Sequence, residues 1–160
     1  MNRKVLVMAV ACLAVAMLAT PLVCAAKTTK LITVTGTFYG LPGGTWILDP
    51  AGKSDNTILT IVDGIVIWEG DIAGPSTYSG RTVLHAGGER DNKEGVWTIT
   101  ATVSDENGVP HSGTLFIKRA QANWRIIGGT DGLANLHGEG TSEDIGFPYW
   151  AYTGQVHFDP

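Results

Sequence analysis

Cysteine is missing from all but the start of this 160-residue chain, where Cys12 and Cys24 are the two present. A domain that begins after them has no disulfide and no thiolate, so its stability rests on its core and a cysteine nucleophile is excluded. No serine sits in a G-x-S-x-G elbow, and His85, His111, His137 and His157 are scattered without an H-E-x-x-H pair, so neither a hydrolase triad nor a zinc site is expected. The glycines from Gly128 to Gly132 are not followed by a lysine and a helix, which rules out a phosphate loop. No cofactor motif, N-x-S/T acceptor, internal repeat or amphipathic helix is evident. Positive charge is also scarce. Beyond residue 26 there are 9 basic against 15 acidic residues, a formal −6, and that balance suits neither nucleic acid nor an anionic membrane surface.

What is present begins with a leader. Arg3 and Lys4 precede an apolar run from Val5 to Leu18 and small residues around Cys24, Ala25 and Ala26, the three regions of a secretory signal peptide. The run is too short for a membrane span. Lipidation of Cys24 is the rival reading, against which stands the bulky Val23 where a small residue is wanted. Residues 1–26 are therefore expected to be removed, leaving residues 27–160 as one exported domain, secreted or periplasmic and without a membrane anchor. That length suffices for one sizeable core.

The domain reads as all-β. Ile32, Val34, Gly36 and Phe38 alternate with threonines, as do Trp97, Ile99, Ala101 and Val103, and both patterns describe half-buried strands. Thr45 to Asp49, Pro75 to His85, Thr114 to Arg119, Trp124 to Ile127 and Tyr149 to Phe158 add further strands, with Thr141 to Pro148 as a loop. Asp63-Gly64 and Asn107-Gly108 are two-residue hairpin signals, the first joining Thr57–Val62 to Ile65–Trp68. About eight to ten short antiparallel strands at regular spacing point to a single small β-barrel.

The stretch from Trp124 to Gly140, WRIIGGTDGLANLHGEG, is the most distinctive. A strand runs into a glycine-dense turn expected to need positive φ, then into a second strand whose Gly138 and Gly140 leave one face nearly bare, as at a barrel corner or close crossing. Gly128-Gly129-Thr130 with Leu133 and Gly138 resembles the GGTG-x-F-x-x-A-x-G signature of the allene oxide cyclase and dirigent barrels. The run Leu133 to Gly140 is closer still to the L-A-x-L-x-G-E-G of a prokaryotic family of unknown function assigned the same barrel, and Gly70-Asp71-Ile72 with Gly74 resembles that family's G-D-I-x-G. The resemblance implies an allene oxide cyclase-like barrel and a homo-oligomer, as barrels of the plant families form. Asp131 and Leu136 depart from the plant signature. The cyclase's catalytic residues find no match here, so its activity is not carried over.

Candidate site residues come from parity along the strands. Glu69 and Asp71 share a face with Ile65 and Ile67, while Val66 and Trp68 share the other. Inward-facing, the two acids would bind the polar end of a ligand or act as acid and base, with Tyr78 and an indole such as Trp68 nearby; outward-facing, they are a solvated surface. His137 and Glu139 share a face and are either polar ligand contacts, the start of a two-ligand metal site, or solvated. Trp46, Trp68, Trp97, Trp124 and Trp150 line a pocket or fill a core. Three functions remain: an exported module binding a small, largely apolar or amphipathic ligand; a cyclase or dirigent-like guide that folds a reactive intermediate, with Asp71 as its acid; and a packed structural barrel without a ligand.

Overall fold

The computed structural model describes residues 29–50, 56–86 and 90–159, without the side chains of residues 50 and 90–93; the leader expected at residues 1–26, with its expected cleavage site, lies outside the described residues. Nine strands form one antiparallel sheet: β1 (Ile32–Leu41), β2 (Thr45–Pro50), β3 (Thr57–Gly70), β4 (Gly74–Leu84), β5 (Arg90–Ser104), β6 (Pro110–Ala120), β7 (Asn123–Gly129), β8 (Leu136–Gly146) and β9 (Tyr149–Phe158). From β3 to β9 each strand pairs with its sequence neighbours. β1 then closes the ring by pairing with β9, Ile32 opposite Val156, and with β3, Gly36 opposite Gly70. The result is the small all-β barrel expected from the sequence, eight strands closed and a ninth, β2, added outside the ring.

Alternation decides what lies inside. Val34 and Phe38 of β1, Val66 and Trp68 of β3, Trp97 to Val103 of β5 and Leu115 and Ile117 of β6 are all buried, and the threonines between them on β5 are exposed. Burying each such large apolar side chain contributes roughly 1.5 to 3 kcal/mol. Rings fill the middle: Phe38 stacks on Trp68 at 4.7 Å, and Trp97 meets Trp68 edge-on at 5.3 Å. Glycines make room for them. A Cβ at Gly140 or Gly154 would run into the Trp124 indole, and one at Gly138 would lie 2.6 Å from the Gln155 carbonyl oxygen, which accounts for the bare face of β8.

Four turns differ from the sequence expectation. Asp63-Gly64 makes no hairpin; Asp63 takes φ 53° inside the continuous β3, where the register against β4 slips between Ile61 and Gly64. A bulge of the G1 kind and a primed turn both use a left-handed residue, and it is pairing that separates them. The first half of β3 is held by β2 and the second half by β1, so the strand bends where it changes partner. At Asn107-Gly108 only Gly108 has positive φ, and the Asp105 side chain accepts from the amides of Asn107 and Val109, giving a three-residue turn instead of a type I′ one. In the Gly128–Gly132 turn the glycines are not left-handed; Asp131 is, a short polar side chain of the kind that tolerates that region, and a single 3-10 turn over Asp131–Leu133 replaces a tight hairpin. Most of Thr141 to Pro148 is strand, since β8 continues to Gly146 against β9.

Candidate functional site

The two ends of the barrel are built differently. At the floor, Ile72, Leu133 and Val156 are fully buried. The Gly70-Asp71-Ile72 segment is a structural corner: Asp71 accepts from the Thr35 amide at 2.7 Å through Oδ2 and donates its own amide to the Thr35 carbonyl at 3.0 Å. Tyr152, buried beside it, donates its hydroxyl to the Ile72 carbonyl at 3.0 Å and accepts from the Ile72 amide at 2.8 Å. Burial pushes that hydroxyl's pKa up to about 12.

The opposite end is an apolar mouth. One lobe of about 360 Å³ lies among Phe38, Val66, Tyr78, Trp97 and Trp150; a second, of about 590 Å³, lies under β2 among Leu48, Leu59, Leu84 and Asp144. Trp46, Ile61, Arg119, Phe147 and Trp150 border both, so the lobes form one site divided by side chains. Trp46 and Phe147 stand at its rim, 52% and 63% exposed. Volumes of this size and an aromatic lining are those of small-molecule sites.

Arg119 is the polar group at its base. It follows Leu115 and Ile117 on the inward face of β6 and is 7% exposed. Its Nε donates to the Gln121 carbonyl at 2.8 Å, and its guanidinium carbon lies 5.7 Å from the centre of the Trp97 ring. Burial lowers its pKa, opposed by the nearby Tyr78 and Asp144. Tyr78 lies 5.2 Å from Trp97 between its centroid and that ring's, over Gly80 and Gly95, where a Cβ would collide with the phenol. Burial raises its hydroxyl pKa, and Arg119 opposes the rise.

Of the residues singled out in the sequence, Tyr78 lines this mouth and Trp68 lies in the core below it. Glu69 and Asp71 face outward near the floor, Glu69 accepting from the Tyr39 hydroxyl at 3.4 Å. Their outward placement follows from Val66 and Trp68 taking the inward parity. His137 and Glu139 are also outside, on the wall of an open groove of about 820 Å³ beside β7. His137 and His157 stack at 5.6 Å and both reach Asp159, at 3.2 and 3.4 Å. Among the described residues no group of three or more His, Cys, Asp or Glu converges to hold a metal ion. The groove is larger than either mouth lobe, but it is a shallow outer surface with lysine and arginine on its wall, whereas the mouth is enclosed by rings. Sequence reasoning missed Arg119, and the signal was there: a charged residue in phase with Leu115 and Ile117 on a strand that buries them.

Neither a protein-family model nor a curated protein matches the chain. Among solved structures, the chain is similar to a protein of unknown function from the DUF3224 family of Shewanella oneidensis. The two are 15% identical with a TM-score of 0.48, over 82% of this chain and 99% of that one.

Proposed function

We propose that this barrel binds a small, largely apolar molecule at its mouth, outside the cytoplasm once residues 1–26 are removed. The observation that carries the reading is the ring-lined cavity itself: Phe38, Trp97, Trp150 and Tyr78 enclose space instead of filling it, while every layer below is packed. A purely structural barrel has no reason to leave exposed apolar side chains such as Trp46 and Phe147 gathered around an opening. The resemblance to allene oxide cyclase and dirigent barrels fits a pocket at the barrel end. A cyclase would have to draw its acid from elsewhere than Glu69 or Asp71, which lie outside and at the far end.

The test is titration with a neutral naphthylamine fluorophore, which brightens in apolar surroundings. Saturable binding is expected, weakened at least about tenfold by Trp150→Ala, which removes a ring bordering both lobes and a large part of the contact area. An absence of saturable binding to the wild type would overturn the reading.

A further inference from the structure

Arg119 is more than a lining residue. Its side chain is buried among Trp97, Tyr78 and Ile61, and its one protein acceptor among the described residues is the Gln121 carbonyl, which takes the Nε proton. Among the described residues no carboxylate comes within ion-pair distance of it, so the four remaining N–H groups of the fork have no protein acceptor. Asp144 acts on it through space and borders the second lobe, but its Oδ1 is committed to the Gly146 amide at 2.8 Å. A guanidinium shielded from water whose only nearby counter-charge lies beyond ion-pair distance is left with donors that an anion in the mouth can complete. Both lobes of the mouth reach Arg119, and Tyr78, whose hydroxyl has no protein hydrogen bond among the described residues, lines the same lobe and packs on the same Trp97 ring as the guanidinium.

Resting on the reading of the mouth as a ligand site, we infer that the ligand is an amphipathic carboxylate whose head is held by Arg119 and Tyr78 and whose apolar body lies against the rings toward Phe147 and Trp46. The planar fork matches a carboxylate with two parallel hydrogen bonds, and a phenol beside it donates a third. The charged end is thus the inner end, and the apolar tail points to the opening. A cationic or neutral ligand of the same shape leaves the buried charge uncompensated and is rejected for that reason.

The experiment is displacement of the neutral naphthylamine by decanoate, by its methyl ester and by decylamine. Decanoate should displace about tenfold or more better than the ester, the effect of one charge-assisted hydrogen bond, with decylamine the weakest of the three. Arg119→Met should bring acid and ester within about twofold of each other, read as the ratio of their displacement constants on the same variant; Arg119→Lys should keep part of the preference, and Tyr78→Phe should lose a smaller part. Equal displacement by acid and ester in the wild type would overturn the anion site and leave the apolar mouth standing. Failure of the naphthylamine itself to bind would overturn both. Should Arg119→Met not fold, the comparison of acid with ester on the wild type still decides.

Discussion

The floor and the mouth of this barrel solve opposite problems with the same kind of strand. At the floor polar groups are paired and apolar ones buried: Asp71 and Thr35 exchange hydrogen bonds, Tyr152 holds both polar groups of Ile72, and Leu133 drops from the 3-10 turn as a plug. At the mouth the rim residues Trp46 and Phe147 are exposed and charged Arg119 is buried, the reverse of what stability alone selects. The motif-bearing turns are architectural. The proposed ligand site is built from residues that carry no motif.

The sharpest way to break the comparison is at the plug. Leu133→Ala should lower the free energy of unfolding in urea by about 2 to 5 kcal/mol, since a fully buried side chain leaves a cavity that a closed floor cannot collapse. Naphthylamine binding at the other end should persist wherever the protein remains folded. A loss of binding without a loss of stability would mean that the two ends are not separate.

Next in size is Tyr152→Phe, which leaves the Ile72 amide and carbonyl without their hydroxyl partner and should cost about 1 to 3 kcal/mol. It also has a pH signature. The folded-state pKa of about 12 stands above the ordinary 10.0, so the folded protein keeps a proton that the unfolded chain gives up, and the stabilisation present below pH 10 is lost as pH rises toward 12. Wild type should therefore lose stability more steeply than Tyr152→Phe across that window in alkaline urea titrations. Parallel curves would remove the linkage.

The smallest stability effect belongs to the rim. Phe147→Ala, at a residue 63% exposed, should move the unfolding free energy by no more than about 0.5 kcal/mol. It should weaken naphthylamine binding severalfold, because the ring borders both lobes. A floor variant that costs stability and spares binding, beside a rim variant that does the reverse, is the full form of the contrast.

Strand content and facial parity were legible in the sequence because period-2 alternation is local: Ile32, Val34 and Phe38, or Trp97 to Val103, report burial without reference to anything distant. The separation of Glu69 and Asp71 from Val66 and Trp68 was legible in the same way. Which face turned inward was not, since Ile65 and Ile67 are as apolar as the residues opposite them, and Ile65 is in fact 40% exposed at the rim. Asp63-Gly64 announced a left-handed residue correctly, but β2, on the far side of a loop, decides whether such a residue ends a strand or bends it. Arg119 was hidden by its own charge. A basic residue closing an apolar strand reads as the point where the chain returns to water, and only the closed ring, with Trp97 beneath it, turns that position into an interior one.

The pairing of β1 with both β3 and β9 also fixes an order of assembly. Residues 32–41 wait for residues 149–158, so ring closure is among the most non-local steps the chain can make, and such topologies fold slowly. The meander from β3 to β8 can form early with β2 and β1 along the two halves of β3, but the β9-facing edges of β1 and β8 stay unpaired until the last strand is made. Unpaired edges are where chains of this kind aggregate, so yield should be limited by the delivery of β9 and far less by the strength of the finished core.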